Sequence, residues 1–160
     1  MVKFKTNFFN IALNTISITI LVSNWALVLF YYFDLPNIIN SHYNILGEPD
    51  NSGNKIIILL LPILSLITYM GFSYLEKRPH LLNYPVPVNT KNSKRLASIA
   101  IKAIILIKLI VLLLFLFLSY TMVFNNLESS SSMNNSILMF FVGLIVFTLV
   151  YFINKMYKAK

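Results

Sequence analysis

Four long apolar runs separated by polar gaps constrain this chain more than any other feature. A membrane-crossing helix needs about 20 mostly apolar residues, because each residue rises about 1.5 Å and the hydrocarbon layer is about 30 Å thick. Runs at about 11–33, 56–75, 103–124 and 137–153 meet that requirement, the last being the shortest. Hydrophobic residues make up 58% of the 160 and charged residues 11%, against about 45–50% and about 25% in soluble domains. That composition excludes a water-soluble globule and a disordered chain. No water inside a bilayer can satisfy exposed backbone, so each run must be a helix. The expected fold is all-α: one four-transmembrane-helix bundle over 1–160, with a folded extracytoplasmic loop between the first two helices. Lys3 and Lys5 give the first run a basic start, but the run is too long for a cleaved signal and no A-x-A-like site follows it.

The charges sit in the gaps. Lys77, Arg78, Lys91, Lys94, Arg95 and Lys102 crowd the 76–102 connection, and Lys155, Lys158 and Lys160 the tail. The 34–55 gap has only Lys55, and 125–136 has no basic residue. Basic residues stay on the cytoplasmic side. The pattern therefore predicts a multi-pass protein of the bacterial cytoplasmic (inner) membrane with both termini in the cytoplasm. On this reading the net charge of +8 records topology and contact with anionic lipid. The partner is the lipid bilayer, and nucleic acid is not expected.

Polar residues inside the runs are informative because lipid tolerates them poorly. Asn10, Asn14, Ser17 and Asn24 fall within an arc of about 80° at 100° per residue. This stripe should face other helices, either as interhelical hydrogen bonds or as a polar path for a solute. Thr15, Thr19 and Ser23 form a second stripe that can bond to the preceding turn. Pro62 predicts a kink in the second run. Lys108 is the only charge well inside a run. The favoured expectation is that its stem snorkels to the cytoplasmic interface. The alternative is a buried cation partnered by Glu76 or an Asn amide of the first run.

The 34–55 loop carries two prolines and two glycines and is expected to fold as a cap. Leu35, Pro36, Ile39, His42, Asn44, Gly47, Pro49, Asp50, Gly53 and Lys55 stand there in a spacing that resembles the domain of unknown function 1648 family of bacterial membrane proteins. Tyr43 stands where that family usually has Phe, and Asn40 where it has a second proline. Asn83-Tyr84-Pro85 is similar to a further segment of the group, so the resemblance extends over about the first 100 residues. The same domain opens proteins of the sporulation-delaying-protein immunity (SdpI) type. The resemblance thus implies protection against, or sensing of, a membrane-active peptide toxin outside, with a soluble regulatory protein as a partner inside.

Chemistry is sparse. With no cysteine, thiolate metal sites and cysteine nucleophiles are excluded. His42, Asp50, Glu48 and Asp34 offer the single speculative metal set, His42 and Asp50 foremost; the alternative is that they hold the loop by hydrogen bonds. No G-x-S-x-G, H-E-x-x-H or P-loop pattern occurs, so no catalytic residue and no cofactor are expected. The inner loop offers Lys91, Lys94 and Arg95 for docking a cytoplasmic partner, and a helix is expected to start at Asn92-Ser93 and run along the membrane surface into the third run. The 125–136 link reads as short and flexible, with no role of its own. Three functions follow. The leading one is a non-enzymatic immunity or sensor protein. The others are a small transporter or accessory subunit using the Asn stripe, and a metal-dependent membrane enzyme.

Overall fold

A computed structural model describes residues 8–44, 46–128 and 134–159. Lys3, Lys5, Ile45 and Lys160 lie outside the described residues. The chain runs α1 (Phe8–Tyr31), β1 (Ile38–Tyr43), β2 (Pro49–Asn54), a 3-10 turn (Lys55–Leu59), α2 (Leu60–Glu76), a second 3-10 turn (Pro79–Leu81), α3 (Ser93–Leu127) and α4 (Asn135–Tyr157). Among the described residues four helices are long and apolar enough to cross a membrane, at Phe8–Tyr31, Lys55–Glu76, Ser93–Leu127 and Asn135–Tyr157. The four expected spans are therefore present as helices, each with shifted ends.

The arrangement is centred on α3. Both α1 and α2 pack on it, and α4 packs chiefly on α3 rather than closing a ring with the others. The α1 face toward this core is a single stripe, Ser17, Leu21, Asn24 and Val28, at the three- and four-residue spacing of one helix side. Phe140, Val146, Phe147 and Val150 of α4 remain exposed. In water such a helix would be an aggregation surface; in lipid its apolar side chains are at home.

α3 has 35 residues and is about 52 Å long at the standard rise, well beyond the about 30 Å of hydrocarbon. Its first turns continue straight into the span and carry buried Leu96, Ile99, Ala100 and Ala103, which pack with Val86 and with Phe152, Met156 and Ala159 at the end of α4. The helix expected to begin near Asn92 thus begins at Ser93 and continues into the span, its start packed on the end of α4 instead of laid along the membrane surface. The alanines let α4 approach closely, as small residues do between membrane helices. The proline-rich connection is not purely extended either: Pro79 opens a one-turn 3-10 helix, and the Tyr84 hydroxyl donates to the Pro79 carbonyl at 2.8 Å.

Pro62 falls in the first turn of α2, directly after the 3-10 segment. A missing N–H is tolerated there because first-turn amides have no intrahelical acceptor. The expected kink is replaced by a change of helix type.

The predicted outer cap is a two-stranded antiparallel sheet, a β element that an all-α reading omitted. Ile38 faces Asn54, Ile39 faces Gly53 and Asn40 faces Ser52; the register then shifts on either side of His42, which faces Asn51, before Tyr43 meets Pro49. The β2 segment Pro-Asp-Asn-Ser-Gly-Asn has almost no strand propensity. It is a strand because β1 and the helices hold it there.

Candidate functional site

Two polar assemblies hold the helices together, one at the C-terminal end of α3 and the other near its middle, around Lys108. The hairpin end is built from the loop motif. Leu35 and Ile39 are buried among Val28, Ile58, Met122 and Val123, plugging the mouth between α1, α2 and α3. Asn126 then grips the β1 backbone: its Oδ1 accepts from the Asn40 N–H at 2.7 Å and its Nδ2 donates to the Asn40 carbonyl at 3.2 Å. Asn135 Nδ2 donates to the Asn44 carbonyl at 3.1 Å. Lys55 ties the base, its ammonium donating to the Leu35 carbonyl at 3.0 Å and lying 5.2 Å from the Tyr32 ring centre. The flanks of the link assigned no role therefore dock the cap, while residues 129–133 of that link lie outside the described residues.

Asn44 organises the hairpin turn. Its Oδ1 accepts from the Leu46 and Glu48 amides at 2.8 and 3.0 Å, and its Nδ2 donates to Glu48 Oε2 at 3.2 Å. Gly47 takes φ 83, a left-handed conformation that glycine adopts without a Cβ clash. Pro49 opens β2, where a strand tolerates proline; Pro36 is exposed just before β1. The register shift brings His42 Nδ1 onto Asp50 Oδ1 at 2.5 Å, with side chains 67% and 43% exposed. They bond to each other across the strands, not to the loop backbone. Glu48 is engaged at the turn and Asp34 lies exposed after α1. Among the described residues no group of three or more His, Asp or Glu side chains could hold a metal, so the four speculative ligands do not converge.

The second assembly lies in the other half of the helices. Lys108 does not snorkel: its side chain is 1% exposed. Its three donors go to Asn14 Oδ1 at 2.6 Å, Glu76 Oε2 at 3.0 Å and Ser73 Oγ at 3.2 Å. Asn14 Nδ2 closes the ring onto Glu76 Oε1 at 2.8 Å. The face of Tyr69 lies 5.1 Å from the ammonium, within cation–π range. One lysine thus joins α1, α2 and α3. Burial of a charge inside a span is costly, and complete hydrogen bonding with a counter-ion is what makes it tolerable.

Between the two assemblies, Asn24 Nδ2 donates to Ser65 Oγ at 3.3 Å, and Ser65 donates to the Pro62 carbonyl at 2.8 Å. Asn14 and Asn24 of the predicted stripe therefore bind other helices. Asn10 Oδ1, though buried, has no bond to another described group. Thr19 bonds to the Thr15 carbonyl of its own helix at 3.1 Å. Lys91, Lys94 and Arg95 are exposed at the Lys108 end, behind a loop locked by Asn89 and buried Asn92, whose Nδ2 donates to the Pro87 carbonyl at 3.0 Å. Burial raises the phenol pKa of Tyr84, in the same connection, above its ordinary 10.0.

Sequence reasoning named Glu76 as a partner for Lys108 but missed Ser73, Tyr69, Asn126 and Asn135. A serine one turn from Glu76 on the same face was the available signal for the first. The asparagines carried none, since nothing in a polar link says which carbonyl it will meet.

An uncharacterized protein of Archaeoglobus fulgidus is 32% identical over 81 residues, covering 46% of this chain and 43% of that protein. The match thus spans less than half of that relative's length. No solved structure matches. The family match is narrower than the resemblance drawn from the sequence, and leaves Asn83-Tyr84-Pro85 outside it. Residues 19–66, from the middle of α1 through the hairpin to the second turn of α2, match the model of the family described as Domain of unknown function (DUF1648).

Proposed function

We propose that this is a non-enzymatic, four-span protein of the cytoplasmic membrane, with both termini in the cytoplasm, that captures a cationic, membrane-active peptide at its outer hairpin. The observation that carries the reading is a hairpin fixed to the helices yet open along β2. Asn126 occupies the β1 side, while most of β2 is exposed. An exposed strand edge can accept an extended peptide as a further strand. Charge favours a cationic one. Asp34, Glu48, Asp50 and Glu128 lie exposed at this end, and its one lysine, Lys55, is engaged with Leu35 and Tyr32. Peptides that disrupt membranes are rich in Lys and Arg, so opposite charge steers them to this surface. Lys91, Lys94 and Arg95 at the opposite end would carry the response to a soluble cytoplasmic partner.

The test is membrane depolarisation in cells lacking the gene, complemented or not, under a panel of cationic membrane-active peptides. Selective depolarisation of the deletion strain is expected. Asp50→Asn and His42→Gln should fail to restore protection at undiminished membrane abundance. Full protection by both variants would overturn the role of the hairpin.

A further inference from the structure

We propose that one flank of the α3–α4 seam holds an anionic phospholipid, its phosphate among Lys102, Lys155 and Lys158 and its acyl chains running toward a cavity between α1 and α4. This goes beyond the hairpin and does not rest on its function.

Charge is the first observation. Four of the five carboxylates, Asp34, Glu48, Asp50 and Glu128, belong to the hairpin end. The fifth, Glu76, has both oxygens engaged, one by Lys108 and one by Asn14. Among the described residues the other cations at the basic end therefore have no Asp or Glu side chain left to pair with. An anion from outside the chain can meet them.

Periodicity gathers some of these cations at one place. On α3, Arg95, Lys102, Leu106, Leu113 and Tyr120 fall within about 40° at 100° per residue. Lys108 lies about 140° away from this stripe, on the flank taken by Glu76 of α2. The face between them, Leu96, Ala100 and Ala103, packs with Phe152 and Met156 of α4. On α4, Leu144, Tyr151, Lys155 and Lys158 fall within about 60°. The two helices are antiparallel: the start of α3 meets the end of α4, while the Phe117 and Phe141 rings lie 6.0 Å apart farther along. Both stripes turn in the same sense from the contact face, and in an antiparallel pair flanks of equal sense border the same side of the seam. Lys102, Lys155 and Lys158 therefore line one side of it, Lys102 half-buried and the other two exposed. The Lys155 ammonium lies 3.5 Å from the Tyr151 hydroxyl, whose O–H can donate to a phosphate oxygen at the same spot.

The third observation says what the anion carries. Deeper in the span the α3 stripe forms part of an apolar cavity of about 450 Å³, lined by Ser23, Leu27, Leu113, Phe117, Tyr120 and Phe141. Leu113 lies eleven residues beyond Lys102, about 16 Å along the axis, close to half of the about 30 Å hydrocarbon layer. A lipid whose phosphate meets Lys102 thus lays its chains along Leu106 and ends them at the cavity. Basic residues at the rim of an apolar furrow between membrane helices suit an anionic lipid. A soluble phosphate would use the cations alone, and an acidic protein could not follow the furrow into hydrocarbon.

The test is native mass spectrometry of the full chain in mild detergent, with equal amounts of phosphatidylglycerol and phosphatidylcholine bearing the same acyl chains. One phosphatidylglycerol should be retained in preference. Lys102→Gln/Lys158→Gln should weaken its retention roughly thirtyfold, at about 1 kcal/mol for each cation. Lys102→Arg/Lys158→Arg should keep it. Lys77→Gln/Lys91→Gln removes the same charge from the same end, but from the connection that leaves α2, and should leave retention unchanged. Equal loss in the two Gln pairs would overturn the proposal, because diffuse charge would then explain the preference. Equal retention of both lipids by the wild type would overturn it too. So would displacement of the lipid by millimolar glycerol phosphate, which offers the headgroup without chains.

Discussion

The hairpin end and the Lys108 end solve the same problem with opposite chemistry. Each must join three segments of chain where apolar contact adds little, because lipid is as apolar as leucine and helices gain nothing by leaving it. The hairpin end uses neutral amides at the membrane boundary. Asn126, Asn135 and Asn44 each hold a backbone group, and removing one costs a hydrogen bond. The Lys108 end uses one ion pair within a closed ring, and removing one member strands a charge. The first arrangement degrades in small steps; the second is all or nothing. The DUF1648 match, residues 19–66, covers the hairpin itself but neither Asn126 and Asn135 that hold it nor Asn14, Glu76 and Lys108.

The largest expected effect separates these two modes. Lys108→Met or Glu76→Gln alone should lower stability by about 3–5 kcal/mol, the cost of breaking a buried pair and leaving its partner. The partial exposure of Glu76 puts Lys108→Met toward the lower figure, because the stranded carboxylate can hydrate. The double variant should recover most of the loss, since two neutral side chains need no counter-ion. Reversible unfolding in mixed micelles would measure all three. Additive losses would mean that the residues act separately and that the contrast between the ends is false.

How much of this was legible in the sequence follows from the same physics. The spans are local properties: length and hydropathy define them, so four helices emerged with ends displaced by a few residues. The helix start at Ser93 was expected near Asn92; what was not legible is the packing of Leu96, Ile99 and Ala103 on the end of α4, a contact with no local signature. The favoured fate of Lys108 was wrong for a related reason. Reach to an interface can be computed from one helix, whereas a cage requires the relative heights of Asn14, Ser73 and Glu76 on two others. The hairpin motif was legible as a motif but not as strands, because β2 has polar turn-forming residues and is a strand only through its partner. Pro62 showed the limit of a rule applied without position, since a proline in a first turn breaks nothing.

A smaller effect tests the neutral end. Asn126→Ala removes both bonds to the Asn40 backbone and should cost about 1–3 kcal/mol, the penalty for buried groups left unpaired. The loss should be local. Hydrogen exchange at the β1 and β2 amides should speed up while the amides of α1 and α3 keep their protection. Unchanged exchange in Asn126→Ala would show that Leu35 and Ile39 alone hold the hairpin, and that packing, not amide chemistry, distinguishes this end.

The smallest effect lies outside the spans, where Tyr84 packs on the cluster at the start of α3. Tyr84 donates to the Pro79 carbonyl at 2.8 Å, and burial raises its pKa, so the folded chain prefers the neutral phenol more strongly than the unfolded chain does. A raised folded pKa means stability that is complete below the unfolded value and declines as pH climbs through the folded one. Tyr84 should therefore contribute fully below about pH 10, the ordinary tyrosine value, and lose its contribution above it. Tyr84→Phe should cost about 1 kcal/mol at neutral pH, one hydrogen bond, and should flatten the alkaline decline. Chemical unfolding at neutral and alkaline pH would read both changes. An alkaline decline equal in the two proteins would place its origin outside the Tyr84–Pro79 hydrogen bond.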